Sequence, residues 1–122
     1  MNAIARSRAL VEDAFADPSR WAQNMAAAQT LLTGALNESP NDLVTLTCLG
    51  AVLCDQAKYG DAIDLLERAV ALGSNDGHTH YNLGVARVGC ALNRQAKIAF
   101  KRAQGLRASP ETWTAYFDPQ AQ

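Results

Sequence analysis

An all-helical solenoid of antiparallel helix hairpins is the fold class this sequence predicts, and three observations predict it. The apolar residues make up 48% of the 122 and are mostly Ala and Leu, which lose the least entropy in a helix. Sliding the sequence by 34 positions brings Leu49-Gly50 onto Leu83-Gly84, Ala62 onto Ala96, Leu66 onto Phe100, Ala69 onto Ala103 and Leu72 onto Leu106. Within a unit, Leu46, Leu49 and Leu53, then Ala62, Leu65, Leu66, Ala69 and Leu72, recur at three and four residues, one face of a helix. Such a unit cannot bury its apolar faces alone and must stack on its neighbours.

The elements follow in order. Helices are predicted near residues 2–16, 19–36, 41–56, 61–72, 77–91 and 94–106, with a short capping helix near 110–117. Asp17-Pro18-Ser19 breaks the first pair. Ser39-Pro40 and Ser109-Pro110 each offer a capping hydroxyl ahead of a proline suited to the first helical position, and Asp42 follows Ser39 by three residues. Lys58-Tyr59-Gly60-Asp61 reads as a turn in which Gly60 takes the left-handed backbone and Asp61 caps the next helix. Gly73 to Gly77 closes one hairpin and opens the next. Gly50, Ala62 and Ala69 are small enough for two helix backbones to approach closely.

One domain over 1–122 results, divided into a degenerate capping pair (1–40), two repeats (41–76 and 77–108) and a C-terminal cap and tail (109–122) that carries Trp113, Tyr116 and Phe117. The predicted core is Leu46, Leu49, Leu53, Ile63, Leu66, Val70, Leu83, Ile98, Phe100 and Leu106.

Charge and cysteine content narrow the function. The net charge of −1 gives no global attraction to nucleic acid or an anionic membrane. It is unevenly spread. Residues 41–76 set Lys58 and Arg68 against Asp42, Asp55, Asp61, Asp64, Glu67 and Asp76, a net −4. Residues 77–122 set Arg87, Arg94, Lys97, Lys101, Arg102 and Arg107 against Glu111 and Asp118, a net +4. In register, Glu67 and Lys101 are expected to pair across the stack, for at most ~1 kcal/mol. No apolar run approaches the ~18 to 20 residues that span a bilayer, and Glu12 and Asp13 interrupt any signal-peptide stretch. Cys48, Cys54 and Cys90 show no C-x-x-C spacing, so they read as small buried hydrophobes of a protein in a reducing cytoplasm.

The L-x-x-L-G-x-x-L and H-x-x-L-G-x-x-R patterns, followed by A-x-x-x-[LF]-x-x-A at a 34-residue period, resemble the tetratricopeptide repeat. The residues that carry the resemblance are Leu46, Leu49, Gly50, Leu53, Tyr59, Ala62, Leu66 and Ala69, then Tyr81-Asn82-Leu83-Gly84, Ala96, Phe100 and Ala103. Leu46 and His80 stand where the family usually has an aromatic, Arg87 stands where it has Tyr, and residues 9–40 match weakly. The resemblance implies a right-handed solenoid of about three helix pairs. It also implies a concave groove lined by the first helix of each unit.

Carried over position by position, that groove presents Val44, Thr47, Cys48 and Ala51 from one unit and His78, Tyr81, Asn82 and Val85 from the next. Asn82 stands out, because an amide can both donate to and accept from a peptide backbone. Its bland alternative is a bond to a neighbouring loop. The carboxylate clamp of some co-chaperones of the family is missing, since Thr47, Ala51, Thr112 and Tyr116 hold its positions.

The resemblance thus implies a protein-interaction module, an adaptor or chaperone, that takes a peptide segment or helix of a partner protein and catalyses nothing. It needs no cofactor or metal. Self-assembly into a homo-oligomer is the alternative, through the acidic middle and basic end or through the apolar Trp113, Tyr116 and Phe117. His78 and His80 form an H-x-H, yet residues two apart on a helix point about 200° apart and cannot share a metal. Arg94, Lys97 and Lys101 make a basic stripe whose default reading is a solvated face, because it lacks the interleaved aromatics of a nucleic-acid site. No phosphate loop, nucleophile elbow or carboxylate pair appears. On this reading, replacing Tyr81 and Asn82 by Ala should leave helicity and melting nearly intact while abolishing partner capture.

Overall fold

A computed structural model describes residues 1–116. Six α-helices follow one another: α1 (Ala3–Ala16), α2 (Trp21–Glu38), α3 (Leu43–Asp55), α4 (Tyr59–Ala71), α5 (Gly77–Gly89) and α6 (Asn93–Gln104). There is no strand among the described residues. α1 packs on α2, α3 on α4 and α5 on α6, and the three hairpins stack in chain order through contacts of α3 with α2, and of α5 with α3 and α4. Among the described residues no helix is long and apolar enough to cross a membrane.

The core runs through all three hairpins, from Val11, Met25 and Leu32 through Leu46, Leu49, Leu53 and Leu66 to Leu83 and Val85, all buried. Ile63, Val70 and Phe100 pack against it half-buried. Ile98 does not belong to it and is 61% exposed. α6 turns Ala96, Ala99, Phe100 and Ala103 inward, and a residue two after Ala96 falls on the opposite side of the helix. One repeat earlier the same position is Asp64, also exposed.

The 34-residue period reappears in the backbone. Asp42 caps α3 by accepting from Thr45 N, and Asp76 caps α5 by accepting from His78 N. Ser39 instead ends α2, its N–H bonded to Ala35 O. The turns inside the second and third hairpins hinge on Ala57 and Ala91, each with φ +60°. The N–H three residues past the helix closes the turn in both, Lys58 to Leu53 O and Leu92 to Arg87 O, each at 2.8 Å. The left-handed residue is therefore Ala57, not Gly60, which lies inside α4 with Asp61 in its first turn. A Cβ on Gly50 would sit 2.5 Å from the Leu66 side chain, and one on Gly84 would sit 2.5 Å from the Phe100 ring. These glycines set how closely α3 and α5 approach their partners.

Two contacts differ from expectation. Glu67 pairs with Arg87 at 3.3 Å rather than with Lys101, and Cys90 is exposed while Cys48 and Cys54 are buried. The larger difference is at the end of the chain. Residues 110–116 form no helix. Most of their backbone hydrogen bonds go to side chains of α1, α3 and α5. Phe117, expected in the same cap, lies outside the described residues.

Candidate functional site: a groove that holds the chain's own C-terminal segment

The inner helices α1, α3 and α5 converge on the segment that follows α6. Asp76, at the start of α5, holds its beginning: Oδ1 accepts from Ser109 N at 2.9 Å, and Oδ2 accepts from the Thr112 hydroxyl at 2.6 Å. With that hydrogen given to Asp76, the Thr112 oxygen accepts from His78 Nδ1–H at 2.9 Å. Arg8 on α1 donates to Pro110 O at 3.0 Å and places its guanidinium 5.7 Å from the centre of the Trp113 ring, a cation–π distance. Cys48 Sγ faces Glu111 O at 3.9 Å.

Asn82 holds the middle. Its Nδ2 donates to Trp113 O at 3.0 Å, and its Oδ1 accepts from Ala115 N at 2.9 Å. A carbonyl and the N–H two residues on are the pair that an extended backbone presents to one side. A single amide thus satisfies both. Nδ2 also reaches Thr47 O on α3 at 3.4 Å, which fixes the side chain from behind. Beyond it, the Asp55 carboxylate accepts from Tyr116 N at 2.9 Å, and the Tyr116 ring stacks on Phe15 of α1 with centroids 4.2 Å apart.

Of the eight residues assigned to the groove from sequence, Asn82, His78 and Cys48 touch the segment through polar atoms. Thr47, Ala51 and Val85 are buried. Thr47 shares a 2.6 Å hydrogen bond with Thr79 of α5, which ties the two inner helices together. Tyr81 turns its ring onto Phe100, 5.4 Å away, and Val44 is half-buried. Arg8, Phe15, Asp55 and Asp76 were not among the eight. In the first unit Phe15-Ala16 replaces the Leu-Gly pair, and groove positions were carried over only onto the second and third units, which left Arg8 and Phe15 out. Asp76 was legible as a helix boundary, but not as the anchor of a segment 33 residues downstream.

Burial sets the chemistry available here. It pushes the Cys48 thiol up to about 12, and the Cys54 thiol likewise. Both stay protonated at neutral pH, and a thiol is a poor nucleophile. Burial, followed by the nearby Glu12 and Asp55 charges, also raises the Tyr116 phenol. His78 bonds Thr112, whereas His80 Nε2 lies 3.2 Å from Ser74 O. No group of three or more His, Cys, Asp or Glu is placed to hold a metal ion among the described residues. Arg94, Lys97 and Lys101 are exposed on α6. The indole N–H of Trp113 and the Ser7 hydroxyl are buried without a hydrogen-bond partner among the described residues.

No protein-family model matches the chain, and no curated protein matches its sequence.

Proposed function

We propose that this chain is a tetratricopeptide-like protein-interaction module, an adaptor or chaperone, whose α1–α3–α5 groove takes a segment of a partner protein by its backbone. The reading is carried by Asn82, whose amide satisfies a carbonyl and an N–H of one non-helical segment at once. Those groups recur in every peptide, so this contact gives affinity without sequence, and the surrounding pockets supply selectivity. Arg8 offers an aromatic-facing cation, Phe15 a stacking platform, and Asp76 with His78 a site for a hydroxyl side chain.

The repeat assignment is supported by the 34-residue recurrence of aspartate caps, left-handed alanines and close-approach glycines. The reading places the module in the cytoplasm, in keeping with three free cysteines.

Panning a phage-displayed peptide library against the full chain and against Asn82→Ala tests the proposal. Segments enriched on the native chain should lose binding to Asn82→Ala and to Arg8→Ala. Enrichment indifferent to both substitutions would overturn it.

A further inference from the structure

We infer that residues 109–116 are the groove's resident competitor, and that the partner displacing them is a protein segment of the same chemistry: a hydroxyl residue, an aromatic next to it, a small residue two further on, then a second aromatic. This rests on the function proposed above and adds its regulation and its ligand class.

The pattern comes from what each tail residue meets. Thr112 is 1% exposed and fills the Asp76–His78 site. Trp113 is 6% exposed under Arg8, and Ala115 is 4% exposed where Asn82 approaches the backbone. Tyr116 lies flat on Phe15. A larger residue at 115 would push the backbone away from Asn82, so the small position is as selective as the aromatic ones.

The tail is placed to leave. It follows α6, so its release uncovers the groove without separating any of the three hairpins. Its contacts to the groove are mostly backbone hydrogen bonds, which another segment reproduces. It is also an imperfect ligand, because the buried Trp113 N–H has no partner among the described residues and that orphan works against the closed state. A segment with Phe at that place keeps the ring without the orphan. Tethering offsets the defect, since a short linker gives the tail an effective concentration on the order of millimolar. An outside segment therefore binds with its intrinsic affinity reduced by the fraction of open groove.

The test uses the full chain and a fluorescent peptide of the sequence Ser-Pro-Glu-Thr-Trp-Thr-Ala-Tyr with blocked ends. Ala115→Arg unseats the tail while leaving every groove residue in place, and Thr112→Ala weakens it more gently; far-ultraviolet dichroism confirms that each remains helical. The peptide should bind Ala115→Arg at least about tenfold tighter than the native chain, with Thr112→Ala between them. Adding Asn82→Ala should abolish the gain. Equal affinity for the native chain and both variants would overturn the tail's role as competitor while leaving the groove a peptide site. Helical variants that bind no peptide would overturn the groove reading itself. A native chain that sediments as a dimer, and takes up peptide only on dilution to monomer, would assign the tail to a second copy's groove and overturn the intramolecular account.

Discussion

The amide of Asn82 stands between the Trp113 carbonyl and the Ala115 N–H, 3.0 and 2.9 Å from them, in a position fully shielded from solvent. Truncating it leaves two buried backbone groups unpaired. Asn82→Ala should therefore cost about 2–4 kcal/mol, more than a surface polar substitution, through the desolvation of those orphans. This replaces the sequence-based expectation that Tyr81→Ala with Asn82→Ala leaves melting nearly intact. Urea denaturation of the single variant checks it. A change below about 0.5 kcal/mol would mean that the tail does not rest on Asn82.

Asp42 and Asp76 occupy the same place one repeat apart and cap α3 and α5 alike, yet only Asp76 also holds Ser109 and Thr112. The pair separates capping from anchoring. Asp42→Ala should cost about 1 kcal/mol, the value of a cap. Asp76→Ala should cost about 2–3 kcal/mol, because two further hydrogen bonds to a charged acceptor are lost. It should also shift Trp113 fluorescence to the red as the indole meets water, a change absent from Asp42→Ala.

The stacked hairpins were legible because helix period and repeat period agree: Leu46, Leu49, Leu53 and Leu66 are buried as their spacing required. The last segment was not. Ser109-Pro110 looks like a helix start, and the sequence locally allows one, but Asp76, Asn82 and Asp55 offer its backbone partners that no local pattern reveals. Long-range side-chain capture of backbone overrode local propensity. Of the two readings of Asn82, the bond to a neighbouring loop is the one present, made to Trp113 O and Ala115 N. Ile98 misled for a simpler reason, as an apolar residue set off the 3.6-residue stripe.

Ala57 and Ala91 hold a backbone conformation that glycine adopts without a steric penalty, both at φ +60°. Ala57→Gly and Ala91→Gly should each stabilise the fold. The relief of roughly 1–2 kcal/mol at a left-handed residue outweighs the roughly 0.4–1 kcal/mol of entropy glycine adds to the unfolded chain, leaving a net gain of about 0.5 kcal/mol per site. Thermal melts of the single and double variants should show upward, additive shifts. A downward shift at either site would contradict the left-handed assignment.

Cys48 and Cys54 carry thiols pushed up to about 12 by burial, from 9.0. The folded chain thus keeps protons that the unfolded chain gives up once pH passes 9. Because the folded state binds more protons there, stability should fall as pH rises from about 9 towards 12 and stay insensitive to these thiols below about 8. Replacing both by Ala should flatten that decline. At pH 8 a thiol reagent should label exposed Cys90 alone, the other two reacting only as fast as the protein opens.

Gly84 faces the Phe100 ring and Gly50 the Leu66 side chain at the same repeat position, each at 2.5 Å from where a Cβ would stand. In a helix interior, Gly→Ala ordinarily stabilises by roughly 0.5–1 kcal/mol. Here the sign should reverse, because the added methyl must displace a packed side chain, an overpacking cost of about 1–3 kcal/mol. The flat Phe100 ring swings aside less easily than the branched tip of Leu66, so Gly84→Ala should destabilise more than Gly50→Ala. Gly34→Ala on α2, where nothing lies within 4 Å of the new methyl, supplies the control and should stabilise. Denaturation midpoints that rise for all three substitutions would show that the hairpins are held apart at these crossings rather than in contact.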